Sequence, residues 1–149
     1  MRRLARGFLI VVSVLDGLAG LVCGVLFIAK PDGSLMGAGA LLPVIQELPL
    51  ATVFFRDFSW IGIAMLLVLG IPNTAATVML VHRSDRQYRL TLFVGALLLA
   101  WTGFELIFMY NALALAYFAV GTLSILSSVF LLADHRSAQQ AHPAVAQKR

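Results

Sequence analysis

Four long apolar runs constrain this chain more than any other feature. They cover residues 7–29, 58–81, 90–109 and 112–133, and each matches the roughly 20 helical residues that cross the hydrocarbon core of a bilayer. The first is interrupted only by Asp16 and the third carries one acid, Glu105, while the second and fourth carry no charge. Hydrocarbon offers no water to satisfy backbone N–H and C=O groups, so runs of this length are read as helices. A transmembrane barrel would show short segments of alternating polarity, which these runs do not. The rest of the chain agrees. With 60% hydrophobic and 12% charged residues among 149, it has too few charged side chains to cover a soluble globule, where about a quarter is usual. One cysteine excludes a disulfide scaffold. The expected architecture is an all-α integral membrane protein. It is a single domain over 1–149, an antiparallel bundle of four transmembrane helices with a short outer interfacial segment.

Arg2, Arg3 and Arg6 precede the first run, as basic residues precede a secretory signal. The run is too long for a signal core and lacks a small-x-small cleavage site, so it is read as a retained helix. Cys23 follows Leu21 and Val22, which is no lipoprotein cleavage box.

Orientation follows from the basic residues. With four crossings, segments 1–6, 82–89 and 134–149 share one side, and they hold Arg2, Arg3, Arg6, Arg83, Arg86, Arg89, Arg136, Lys148 and Arg149, nine of the eleven bases. Lys30 and Arg56 lie on the other side. Both termini are therefore expected in the cytoplasm, in a multi-pass protein of a cell inner membrane. The net charge of +4 reports this topology and an attraction to anionic membrane lipids. It does not indicate nucleic acid, because no soluble module combines a basic face with base-stacking aromatics.

Between the runs, residues 82–89 read as a short polar turn, and Tyr110 with Asn111 close a tight hairpin. The tail over 134–149 is polar, contains Pro143, and is expected to be mobile. Only the outer segment 30–57 is long enough for structure outside the spans. It opens on Pro31-Asp32-Gly33-Ser34, a turn signal, and turns apolar over 35–48, broken by Pro43 and Pro49. An outer-surface helix or cap lying on the bundle mouth is expected there. Phe54, Phe55, Phe58 and Trp60 are expected at the outer interface, where aromatic rings are favoured.

Small residues mark helix contacts within membranes because backbones can approach there. The expected inward stripes are Ser13, Gly17, Gly20 and Gly24 on the first helix, and Ser59, Gly62, Leu66, Asn73 and Thr77 on the second. Ala96, Ala100 and Gly103 form the third stripe, and Tyr117, Gly121, Ser124 and Ser128 the fourth. Packing is a sufficient reason for such stripes. Depth adds a second signal. At 1.5 Å per residue, Asp16 and Ser124 lie roughly 13 Å, and Asn73 roughly 12 Å, from the side bearing the termini. A hydrogen-bonded polar layer is expected at that level, strengthened by Pro72, which frees a carbonyl on the preceding turn.

An ionised carboxylate at such depth costs several kcal/mol, so embedded acids face the interior and often mark proton or cation paths. Asp16 has two readings: a ligand or proton site with Asn73 and Ser124, or a protonated donor acting as structural glue. Glu105 lies at a level similar to Arg56 and Asp57, which suggests either a Glu105–Arg56 ion pair or an outer vestibule for a solute. Trp101, near mid-span, either lines a cavity or fills a packing gap.

His82, His135 and His142 all fall outside the runs. That leaves no bis-histidine haem and no buried histidine metal site. Cys23 alone cannot run thiol–disulfide exchange, and no phosphate loop or Ser-His pair is present. No cofactor and no catalytic residue is expected.

The segment Gly24-Val25-Leu26-Phe27-Ile28-Ala29-Lys30-Pro31, the proline-broken outer stretch, and Asp57 followed by Gly62 and Gly70 resemble the DoxX-like family of small bacterial four-helix membrane proteins. That family commonly has Glu where Asp57 stands. The resemblance implies an accessory subunit of a membrane redox complex, of the kind linked to quinone-coupled sulfur oxidation or oxidative stress. From the residues themselves, the leading expectation is a non-catalytic membrane protein that binds a partner subunit or a lipid-like ligand. The alternative is a small oligomeric transporter or proton-coupled channel that uses Asp16.

Overall fold

The computed structural model describes residues 1–47, 51–54, 56–108 and 110–146, and every regular element among them is helical. Helix α1 spans Arg2–Ala29. Two single 3-10 turns, Ser34–Met36 and Gly39–Leu41, lead into the short helices α2 (Leu42–Ile45) and α3 (Ala51–Phe54). Helix α4 (Ser59–Met65) continues through a wide π-turn (Leu66–Gly70) into α5 (Ile71–Val81). Helices α6 (Gln87–Phe108) and α7 (Ala112–Ala146) complete the chain. Four stretches are long and apolar enough to cross a membrane: Arg2–Ala29, Ser59–Val81, Gln87–Phe108 and Ala112–His135.

The four long helices run up and down around a square. Helix α1 packs on α4, α5 and α7; α6 packs on α5 and α7. Contacts along α1 and its neighbour read in opposite order, Gly17 against Thr74, Gly20 against Gly70 and Gly24 against Gly62, so the two are antiparallel. The exterior is fatty: Val11, Leu15, Leu18, Val22 and Val25 form one exposed face of α1. Its opposite face buries Ser13, Asp16, Gly17, Gly20 and Gly24. Small and polar inside with large and apolar outside is the pattern of a helix bundle solvated by hydrocarbon.

The expected stripes hold for α1 and for α7, where Gly121, Ser124 and Ser128 are buried. On α6 the inward face differs. Thr91, Val94, Gly95, Leu98 and Thr102 are buried, while Ala96 and Ala100 are exposed. The contact goes to the face that fits α7: a Cβ on Gly121 would already meet the Leu99 nitrogen at 3.3 Å. The π-turn is the response to Pro72. A proline cannot donate to the carbonyl four residues back, and one turn widens so that the Ile71 N–H reaches Leu66 O. Thr74 Oγ1 donates to Gly70 O at 2.8 Å, which occupies another carbonyl of this stretch.

At the end bearing the termini, Leu9, Leu80 and Leu131 form a small core beneath Phe8 and Tyr88. Arg6 Nη2 donates to Leu80 O at 2.6 Å, placing a cation on the C-terminal carbonyls of α5. Arg2 pairs with Asp134 of α7. Helix α5 closes with Arg83 at φ 54°, Ser84 N–H on Met79 O at 3.0 Å and Arg83 N–H on Leu80 O at 3.4 Å, the Schellman pattern. Beyond Asp134 the backbone stays helical to Ala146. Alanine and glutamine dominate that stretch and are good helix formers.

Over 35–47 the apolar stretch is a chain of single turns and not one continuous helix, because Gly33 (φ 73°) and Gly37 (φ 65°) reverse the chain and Pro43 starts a new helix. Residues 48–50 lie outside the described ones. Ile45 seats this loop on the bundle by packing with Phe27 and Phe58. The Phe27 and Phe58 rings stack at 4.8 Å, and Phe58 N–H donates to Pro31 O at 2.9 Å. Phe58 is thus core and not an interfacial ring. The Ser34 N–H donates to Asp32 Oδ1 at 2.9 Å, and this bond holds the Asp32 carboxyl below the usual aspartate range. Phe55 and the side chain of Phe54 lie outside what the structure describes.

Candidate functional site

Two sites emerge, one polar and enclosed, the other apolar and open. The polar one forms where α1, α5, α6 and α7 converge. Asp16 comes from α1, Asn73 from the first turn of α5 and Ser124 from mid-α7, and all three line one cavity of about 10 Å³. Ser13 and Thr91 add polar edges, and Leu9, Val12, Val94, Gly95 and Leu98 complete the wall. Asn73 is held there by the π-turn and Pro72 just before it. Asp16, Asn73 and Ser124 are 5%, 1% and 5% exposed. Asp16 Oδ2, Asn73 Nδ2 and Ser124 Oγ have no hydrogen-bond partner in the protein. Such groups each cost on the order of 1–3 kcal/mol when buried without one.

The three residues read as one layer from depth alone line one cavity, but without the hydrogen bonds expected among them. What the sequence did not single out is Thr91, which accepts from Ser128 Oγ at 2.9 Å and donates to Tyr88 O at 3.2 Å. The signal was available in principle, since Thr91 lies one turn before Gly95 on α6.

The second site is a groove of about 440 Å³ between α4 and α6, in the half of the bundle away from the termini. Trp60, Ile61, Ala64 and Val68 line one wall, and Leu97, Ala100, Trp101 and Phe104 the other. It holds both tryptophans of the chain. Trp101 therefore lines a cavity, one of the two readings its mid-span position left open. Its indole Nε1–H donates to Glu105 Oε1 at 2.9 Å, one turn farther along α6. That bond replaces the expected Glu105–Arg56 ion pair, which is not formed among the described residues. The i, i+4 spacing puts the indole directly beside the carboxylate, whereas Arg56 sits on the loop before α4 with its carbonyl accepting from Gln46 Nε2 at 3.0 Å. Asp57 serves the local backbone, its Oδ1 accepting the Ser59 N–H at 2.8 Å at the start of α4.

Among the described residues, no three His, Cys, Asp or Glu side chains gather as a metal site would require. The fold and these two sites define a class, an all-helical protein with four candidate membrane spans, a buried polar knot and an apolar groove. No protein-family profile, curated protein or solved structure matches the chain significantly.

Proposed function

We propose that this chain is a non-catalytic multi-pass protein of the inner membrane, with both termini in the cytoplasm, that binds a lipid-like ligand in the groove between α4 and α6. One observation carries the reading. The groove has about 440 Å³ of space and a wall made only of apolar and aromatic residues, within the roughly 300–1,000 Å³ typical of small-molecule sites. Two indoles on opposite walls give flat surfaces for a chain or ring, and the Trp101 N–H is already committed to Glu105. Recognition within the groove then rests on shape and dispersion, which suits an apolar body with its polar head at the far interface. A flux function through Asp16 is less well supported, because the cavity there takes one water-sized body and is walled by Leu9, Val12, Val94 and Leu98. The resemblance to DoxX-like proteins would make such a ligand a quinone and the chain an accessory subunit of a redox complex. That is a narrower form of the same reading.

Both tryptophans line the groove, so selectively excited tryptophan fluorescence reports on it. The protein is reconstituted in phosphatidylcholine vesicles and titrated with a phospholipid brominated on one acyl chain. Saturable quenching at low mole fraction is expected for the wild type. Ala100→Phe, which fills the groove from an exposed position, should lose the saturable part while keeping its helical melting curve. Quenching that tracks bulk brominated lipid equally in both proteins would sink the proposal. Co-purification of a protein that Ala100→Phe releases would instead assign the groove to a partner subunit.

A further inference from the structure

We propose that the cavity among α1, α5, α6 and α7 binds one water molecule, which accepts a hydrogen bond from Asn73 Nδ2 and bridges to Asp16 Oδ2 and Ser124 Oγ. This inference is independent of the groove and its ligand. Three side chains, each more than nine-tenths buried, direct an unpartnered polar atom into the same space. In hydrocarbon-solvated protein no bulk solvent can reach them, so each must find a partner or carry the full cost of desolvation. Size selects the partner. The cavity's 10 Å³ is at the lower bound of about 10–15 Å³ that admits one water, and is too small for a larger polar molecule.

Chemistry narrows it further. The Asn73 amide nitrogen is a donor only, the Asp16 oxygen belongs to a carboxyl group, and the Ser124 hydroxyl is both donor and acceptor. A bare monovalent or divalent cation needs oxygen acceptors on all sides and would be repelled by the amide hydrogens. Water both accepts and donates, so it completes all three groups at once, and buried waters typically make about three such bonds. Thr91 offers it no proton, since its hydroxyl donates to Tyr88 O and already accepts from Ser128 Oγ. The bound water thus becomes the fourth member of a knot joining α1, α5 and α7. It gives the buried Asp16 carboxyl a hydrogen-bond partner that the protein itself does not supply to Oδ2.

The test uses the full chain in lipid bicelles, with asparagine labelled by ¹⁵N and the Asn73 side-chain amide assigned. A cross-peak between that buried amide and the water resonance is expected in the wild type, unchanged when sodium, potassium or magnesium chloride is added. Ser124→Val occupies the cavity and removes one partner, so the cross-peak should vanish while the backbone spectrum is kept. Asp16→Asn, which preserves volume and hydrogen-bonding capacity, should retain it. Absence of the wild-type cross-peak overturns the proposal. So does a rise in melting temperature, or a shift of the Asn73 amide, that depends on one of the cations, since the occupant would then be an ion. If Ser124→Val does not fold, the wild-type measurements decide the matter by themselves.

Discussion

A Cβ built at Gly20 would lie 2.3 Å from the Gly70 nitrogen and 2.6 Å from Leu69 Cβ, and one at Gly24 would lie 2.9 Å from Gly62 O. Those distances are shorter than real Cβ contacts, and at Gly20 two of the three nearest atoms are backbone, which cannot step aside without moving the helix. Gly20→Ala is therefore expected to destabilise the bundle by about 1–3 kcal/mol, the range for overpacking a close contact. Gly7→Ala is the matched control, because nothing lies within 4 Å of a Cβ there. Reversible unfolding of both variants in mixed micelles checks the difference; equal stabilities would refute the close-approach argument. Single residues also show what a sequence can and cannot reveal. Asp16, Asn73 and Ser124 were legible as a layer because depth along a helix is simple arithmetic at a fixed rise. The Trp101–Glu105 bond was equally available from i, i+4 spacing, yet opposite charge made Arg56 the more obvious partner for Glu105. A neighbour one turn away on the same helix is already in place, whereas Arg56 would have had to be brought from a loop.

The π-turn is the feature that matters at the level of the element. Gly62 and Gly70 both face α1, although eight residues of regular α-helix would leave them about 80° out of line. Widening one turn absorbs about one residue's rotation, roughly 100°, and brings the two glycines back to one face. Removing one residue from the wide turn should therefore yield a regular helix with the same facing. Deletion of the exposed Leu67 is expected to leave a folded protein with a melting temperature within a few degrees of the wild type. Deletion of Ala75, in the regular part, would turn Ala76 and the fully buried Leu80 away from the core and should abolish folding. Size-exclusion profiles and circular-dichroism melts of the two deletions settle it; equal damage would show that the turn does not act as an absorbed insertion. Pro72 announced that something must happen on this helix, but not which way the backbone would relax. On α6 the sequence was ambiguous for another reason. Small residues lie on both of its faces, so Ala96 and Ala100 looked as suitable for contact as Gly95, and only the shape of α7 chose between them.

For the molecule as a whole, the arrangement places the start of α1, the end of α7 and the 82–86 turn at one end, and the described part of the 30–57 loop at the other. If the basic residues set the orientation, the first end is cytoplasmic. In a Cys23→Ala background, Leu35→Cys should react with an impermeant thiol reagent in intact cells. Ser137→Cys should react only after the membrane is opened. The reverse pattern would invert the topology, and labelling of both positions in intact cells would argue against a bundle that spans. The number, length and helical nature of the four apolar stretches were determined by the sequence alone. They depend on local quantities that add along the chain: apolar run length, and the backbone's need to bond within its own helix. Which faces meet, where the wide turn relaxes, that the far loop seats Ile45 on stacked phenylalanines, and that a tryptophan-lined groove opens between α4 and α6 were decided only by the tertiary structure. Helices immersed in hydrocarbon gain little by hiding one apolar face over another, so their contacts are chosen by shape and close approach between elements distant in sequence.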